Sequence, residues 1–197
     1  MRRIAKPGEN RMKMLPDLDV AITRGVNNAS GQWPMIDHLM ISISTIGIPF
    51  MVAAVAAQWW YGQDRRQTRH VVVAAGLSFL LGLALNQVVL LFVQRMRPYD
   101  AGVTHLLIER SADYSFPSDH ATATFAIAAT FLIHGMRRRG LLFLAAAMFM
   151  IASRVYVGAH YASDVLGGAL TGVAASGLVR LTYQNGTRVD RFVTGIL

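Results

Sequence analysis

Apolar residues along this chain gather into five long runs separated by short polar breaks, a spacing that predicts helices crossing a membrane. The first run extends from about Met35 to Trp60. Trp33 enters it, and Trp59, Trp60 and Tyr61 close it as an aromatic belt suited to a membrane–water interface. The second, His70 to Gln94, is long enough to tilt, and its Asn86 and Gln87 are expected to tie helices together because lipid cannot satisfy them. The third run, Pro117 to His134, is stopped by Arg137, Arg138, Arg139 and Gly140. The fourth covers Leu141 to about Val157. The fifth covers Ala162 to Tyr183, with Gly167, Gly168, Gly172 and Gly177 permitting close helix packing. Ahead of the first run, Pro16 to Gly31 carries Leu18, Val20, Ala21, Ile22 and Val26 among polar residues, the pattern of a short amphipathic helix lying at the interface.

The expected fold class is therefore all-α: a polytopic membrane helix bundle of about five transmembrane helices plus an N-terminal interfacial amphipathic helix. Its parts are a mobile basic tail over residues 1–15 with the interfacial helix (1–31), a transmembrane domain (32–183) and a mixed C-terminal tail (184–197). Composition agrees, since 53% of the 197 residues are hydrophobic and only 15% are charged. The net charge of +8 does not make this a nucleic-acid-binding protein, because no stacking platform or recognition helix accompanies it. Clustered arginines in a membrane protein instead set orientation and meet anionic lipid. Cysteine is absent, which excludes disulfides and thiolate chemistry. The first fourteen residues lack the apolar core and cleavage site of a signal peptide.

Five crossings place Arg65, Arg66, Arg69, the Arg137 triplet, Arg180, Arg188 and Arg191 on one face, and Arg24, Arg95, Arg97, Arg110, Arg154 and the basic tail on the other. With the tail too far from a span to weigh and the opposing-loop arginines assigned to a site, the positive-inside rule reads the first face as cytoplasmic. The polar stretch Arg95–Pro117 then lies on the outer face, together with the fourth-to-fifth connection. One mouth of the bundle thus collects RMRPYD (Arg95–Asp100), SFPSDH (Ser115–His120) and SRVYVGAHYASD (Ser153–Asp164). Arg97 and Arg154 offer planar forked donors that suit a phosphate dianion. Ser118 stands at the N-terminus of the third span, where free N–H groups and the helix dipole favour an anion. His160 and Asp164, four apart, stack on one helical face, so the carboxylate can orient the imidazole as a nucleophile, while His120 is free to protonate a leaving oxygen. No carboxylate cluster has magnesium or zinc ligand spacing; the chemistry reads as metal-independent phosphoryl transfer with no cofactor. Ser153 is read as a local hydrogen-bonding residue, and Asp119 as a cap of the third span. Tyr156 and Tyr161 are read as interface aromatics, and His38, His70, His105 and His134 as solvent or headgroup contacts.

The three segments also resemble the signature blocks of the type 2 phosphatidic acid phosphatase family of membrane lipid phosphatases. The third block matches fully in Ser153-Arg154, His160 and Asp164, and the second appears as Pro117-Ser118-Asp119-His120, with Asp119 in place of the usual glycine. The first keeps Arg97-Pro98, but its lysine position is Leu90. SFPSDH, the missing lysine and Asn86-Gln87 are similar to the bacterial undecaprenyl diphosphate phosphatase subgroup. The resemblance implies a hydrolase that removes the terminal phosphate of a polyprenyl diphosphate. His160 would pass through a phosphohistidine, oriented by Asp164, and His120 would be the acid. Arg97, Ser118 and Arg154 would hold the phosphoryl oxygens, with Arg95 expected to supply the cation absent at Leu90. The setting it implies is the bacterial cytoplasmic (inner) membrane, with the site facing the periplasm or outside, and with a lipid phosphate or diphosphate as partner besides membrane lipids. The alternatives are a phosphatase of phosphatidate, phosphatidylglycerophosphate or a lipid A phosphate, a lipid phosphotransferase, and a non-catalytic anionic-lipid binder or transporter.

Overall fold

The structure, a computed structural model, describes residues 7–61 and 64–195, with side chains from Asp17 onward. Its elements are helices α1 (Pro7–Asn27), α2 (Pro34–Ala57), α3 (Arg65–Leu90), α4 (Asp119–Ile133), α5 (Arg137–Tyr156), α6 (Ala162–Thr182) and α7 (Arg188–Thr194). The expected all-helical bundle is what the chain forms. Among the described residues, α2 with its trailing turn to Trp60, α3, α5 and α6 are long and apolar enough to cross a membrane, and α4 is a shorter apolar helix.

α4 is the centre of the bundle. Ten of its fifteen residues are buried, from Ala121 through Phe131. At about 22 Å it is shorter than a bilayer core, and the irregular stretch leading to Ser118 fills the space above it. α6 lies against α4 closely enough that a Cβ at Gly168 would strike the Ser118 carbonyl and one at Gly172 the Thr122 carbonyl. These two glycines are four apart on α6, the small-residue spacing that lets membrane helices pack backbone to backbone. Deeper in the bundle, Thr130 on α4 donates to Ser78 on α3 at 3.0 Å and is linked to Ser176 on α6 at 3.1 Å. An apolar core of Met51, Val55, Val71, Ile127, Phe131 and Phe143 closes the end away from the site. α2 faces outward with Leu39, Ile46 and Phe50 exposed, as a lipid-facing helix does.

Several boundaries differ from those expected. Helix α1 begins at Pro7 rather than Pro16. Proline is well placed in a first helical turn, and the following Glu9, Arg11, Met12, Lys13 and Met14 favour helix. The basic tail is shortened accordingly, and the part of it over residues 1–6 lies outside the described residues. α1 ends at Asn27, and the chain turns through Gly31 at φ +79°. α3 ends at Leu90 although apolar residues continue to Val93, because the backbone has to turn there to enter the mouth. In the C-terminal tail, Thr187 caps α7 by accepting from the Asp190 amide, and Asp190 accepts from His70 Nδ1 at 2.7 Å and the Tyr183 hydroxyl at 2.8 Å. His70 is thus fully buried rather than a solvent or headgroup contact.

α1 carries two neighbouring stripes of different character. Leu18, Ile22 and Val26 are exposed, whereas Asp19, Thr23 and Asn27 turn toward the bundle. Each set repeats every four residues, one stripe of a helix. The polar stripe is the docking face: Thr23 Oγ1 accepts from the Ala162 amide at 3.0 Å, and Asn27 bonds His105 and the Tyr156 carbonyl. The apolar stripe is left for lipid, which is the arrangement of an interfacial helix.

Candidate active site

His160 lies in the tight turn between α5 and α6 and is 3% exposed. Gly158 makes that turn possible: its φ is +80°, and a Cβ there would strike the His105 carbonyl. The ring is held at both nitrogens. Nδ1 donates to the Ser115 carbonyl at 2.8 Å, and Arg97 Nη1 approaches Nε2 at 3.4 Å. Donation from Nδ1 leaves the lone pair on Nε2, facing a guanidinium. Asp164 Oδ2 is 3.8 Å from Nδ1, so the carboxylate adjoins the ring without being its direct acceptor.

Asp164 is fully buried and accepts several bonds. Oδ2 takes the Ser115 hydroxyl at 2.5 Å and the Tyr161 amide at 2.9 Å, while Oδ1 takes Arg95 Nη1 at 2.6 Å. The Asp164 carbonyl in turn accepts from the Ser118 amide at 3.1 Å, which joins the start of α6 to the start of α4. Ser118 is the N-cap of α4, and its hydroxyl is buried with no hydrogen-bond partner. Asp119, expected as the cap, accepts instead from Asn86 at 2.7 Å, and Asn86 also donates to Thr122. Asn86 therefore does tie α3 to α4, whereas Gln87 lies exposed.

The remaining groups complete the mouth. Arg97 is 5% exposed and binds Asp113 through its carboxylate at 2.8 Å and its carbonyl at 2.9 Å. Arg154, 6% exposed, donates to Ser44 on α2 at 2.5 Å, and its Nε has no partner. His120, on the first turn of α4, lies in the electrostatic field of Arg154, His160 and Arg97. His160, His120, Asp164, Arg97, Ser118 and Arg154 are thus brought together. Arg95 is not part of that inner group: its guanidinium turns to Asp164, Ser163 and Asp19 and lies 3.8 Å over the Tyr161 ring. Leu90 ends α3.

Sequence reasoning does not assign roles to Ser115, Asp113, Ser44 or Asp19. Ser44 carries a usable signal, since a hydroxyl inside an apolar span needs a partner. The Ser115 contact carries none, because it is made by a backbone carbonyl.

The electrostatics follow from this packing. Burial drives the His160 pKa down to about 4, with the Arg154 and Arg97 charges adding to the effect and Asp164 opposing it. Burial also opposes the charge of Arg95, but Asp19 and Asp164 outweigh it and raise its pKa. For Asp113, burial is likewise outweighed, by the Ser111 hydrogen bond and the Arg97 charge, which together hold the carboxyl below its usual range. His160 is therefore neutral at physiological pH, with an unprotonated lone pair on Nε2 facing Arg97. Protonation as pH falls removes that lone pair, so the acid limb of kcat/KM assigned to this histidine is expected near pH 4. Corrected for substrate ionisation, a pH–rate profile that already halves near the ordinary histidine value of about 6.5 because His160 gains a proton would contradict this placement.

Two buried cationic side chains, an orphaned hydroxyl at a helix N-terminus and an oriented neutral imidazole thus stand together, groups of the kind that suit a phosphoryl anion. The family model described as PAP2 superfamily matches residues 71–188, which includes every one of these groups. The chain belongs to the PAP2 superfamily. Among curated PAP2 relatives, the undecaprenyl-diphosphatase BcrC of Bacillus subtilis (strain 168) is 31% identical over 156 residues, covering 79% of each chain. The putative undecaprenyl-diphosphatase YbjG of Escherichia coli (strain K12) is 26% identical, covering 87% of this chain and 85% of its own length. The fold is shared with the transmembrane PAP2-type phosphatidylglycerolphosphate phosphatase from Bacillus subtilis, at a TM-score of 0.66 and 22% identity over 89% of both chains. The chain is an integral membrane lipid phosphatase of this superfamily.

Proposed function

We propose that this PAP2 phosphatase hydrolyses the terminal phosphate of a polyprenyl diphosphate of the undecaprenyl type through a phosphohistidine at His160. The observation that carries the chemistry is the His160 ring, fixed at Nδ1 by the Ser115 carbonyl with Nε2 facing Arg97. Nε2 attacks the terminal phosphorus, and the bond to the bridging oxygen breaks. His120 gives its proton to that oxygen, so the polyprenyl monophosphate leaves. Water then attacks the phosphohistidine, His120 takes up the water's proton, and inorganic phosphate departs with the imidazole restored. The negative charge of the substrate supports the proton that His120 has to carry.

Arg97, Arg154 and Ser118 bear the phosphoryl oxygens in this reading. The orphaned Arg154 Nε and Ser118 Oγ are the donors left over for them. Stabilising the charge spread over those oxygens is the larger part of catalysis. Arg97 must exchange Asp113 for phosphate, and Asp113 serves as its partner between turnovers. The diphosphate lipid is favoured over other lipid phosphates by the undecaprenyl-diphosphatase names of BcrC and YbjG and by Leu90 in the lysine position. The mouth is read as facing outward from the cytoplasmic membrane, a reading supported by the arginines of the opposite face once the basic tail and the site arginines are set aside.

The test is phosphate release by the purified full chain from undecaprenyl diphosphate, phosphatidate, phosphatidylglycerophosphate and a lipid A phosphate, each in matched micelles with and without EDTA. The diphosphate is expected to have the highest kcat/KM, unchanged by the chelator. A higher value for one of the monoesters would replace the substrate, and loss of activity that magnesium restores would replace the mechanism.

A further inference from the structure

Arg95 is the natural substitute for the missing lysine, yet both terminal nitrogens of its guanidinium are engaged by Asp164, Ser163 and Asp19. Nη1 donates to Asp164 Oδ1 and Ser163 Oγ, both at 2.6 Å, and Nη2 donates to Asp19 Oδ2 at 2.6 Å. The flat face of the guanidinium is taken by Tyr161. The backbone of the same residue closes a ring. The Ser115 amide donates to the Arg95 carbonyl at 2.9 Å, the Ser115 hydroxyl donates to Asp164 Oδ2, and Asp164 Oδ1 returns to the Arg95 side chain. Ser115 is therefore pinned at its amide and its hydroxyl, and its remaining polar atom is the carbonyl that holds His160 Nδ1.

On the outer side of this ring stands α1. Asp19 Oδ1 accepts from the Ser163 amide at 2.9 Å, and Oδ2 accepts from the Ser163 hydroxyl at 2.6 Å as well as from Arg95. With Thr23 on the Ala162 amide, α1 supplies two caps to the first turn of α6, the helix that carries Asp164. Side chains 76 residues apart in sequence thus share one charge-assisted bridge, and Arg95 lies between the two carboxylates.

We propose that Arg95 is a positioning residue, which with Asp19 of the interfacial helix fixes Asp164 and Ser115 and through them the nucleophilic ring of His160. It does not contact the phosphate. This rests on the phosphatase reading above and refines the part played by the first sequence block. The consequence for kinetics is a split: losing the bridge loosens the nucleophile and lowers kcat, while the phosphate donors Arg97, Arg154 and Ser118 keep their places.

The experiment compares Arg95→Met, Arg95→Lys and Asp19→Asn with the wild type in the full chain, measuring kcat, KM and the inhibition constant of vanadate, a trigonal phosphate mimic. Arg95→Met is expected to lower kcat by roughly 10–100-fold, the scale of a small misplacement at a reacting centre, with KM and vanadate inhibition within about twofold. Arg95→Lys, which keeps the cation but not the fork, recovers part of the loss, and Asp19→Asn lowers kcat in the same sense. Should Arg95→Met fail to fold, Asp19→Asn decides by the same split, since it removes a charge at constant volume. Weakened vanadate inhibition with kcat preserved would make Arg95 a phosphate ligand and overturn the proposal, as would no change in any constant. If the wild type prefers a different lipid phosphate, the substrate reading fails, and the same split is read on that lipid.

Discussion

Replacing His160 by alanine lowers phosphate release by roughly ten-thousand-fold or more, the loss expected when a nucleophile is removed from a catalytic unit. The protein should remain folded. His160 is buried, but its hydrogen bonds are to one backbone carbonyl and one arginine, and Ser115 and Asp164 keep each other and Arg95 without it. Lipid diphosphate binding should persist, because Arg97, Arg154 and Ser118 are untouched. Measuring binding of the undecaprenyl diphosphate alongside turnover separates the two effects. Unaltered phosphate release by His160→Ala would eliminate a mechanism that runs through this imidazole.

The second large effect has two signs. Arg154→Met is expected to reduce kcat/KM by about 10²–10³-fold, the range for removing one preorganised donor from a developing charge. The same substitution should raise the thermal midpoint of the ligand-free protein. Arg154 is a buried cation whose one hydrogen bond among the described residues is to a neutral serine hydroxyl and whose Nε is unpartnered there. Among the described residues no carboxylate forms an ion pair with it. A charge held this way costs stability until an anion arrives, and methionine fills the space without it. Wild type should therefore gain more in midpoint from saturating vanadate than Arg154→Met does, since binding to the native state stabilises by mass action. A lower midpoint for the ligand-free variant would mean that Arg154 supports the fold rather than the substrate.

Much of this arrangement is legible from the chain. Long apolar runs locate the four helices long enough to span a membrane and the shorter apolar α4, and that alternation alone brings Arg97, Ser118, His120, Arg154, His160 and Asp164 to one mouth. The parts that are not legible have a common physical cause. Ser115 acts on His160 through a backbone carbonyl, which every residue possesses, so no side-chain pattern marks it. Asp19 reaches Arg95 only because α1 folds its polar stripe onto the bundle, a long-range contact that local periodicity does not encode. The amphipathy of α1 is visible, but which face docks is not: here the polar face goes in and the apolar face is left for lipid. The end of α3 at Leu90 is hidden by apolar residues that continue past it. His70 reads as a solvent contact because its partner, Asp190, is 120 residues away on a short helix with little apolar signal.

Placing Arg95 behind Asp164 also changes what the absent lysine means. With Leu90 at the end of α3 and Arg95 committed to two carboxylates, the proposed mechanism has the phosphoryl group meet Arg97, Arg154 and the unpartnered Ser118 hydroxyl. The Arg95–Asp164–Ser115 ring then keeps the nucleophile in register with that smaller set of donors.

The proposed mechanism carries the phosphoryl group through His160. Its most direct test is to mix the purified chain with undecaprenyl diphosphate labelled in the terminal phosphate, quench within a turnover, and map any covalent label. The expected result is an acid-labile, base-stable phosphoryl group on the peptide that carries His160, absent in His160→Ala. Label on a different residue, or turnover by a wild-type enzyme that never acquires label under conditions that trap the intermediate, would contradict it.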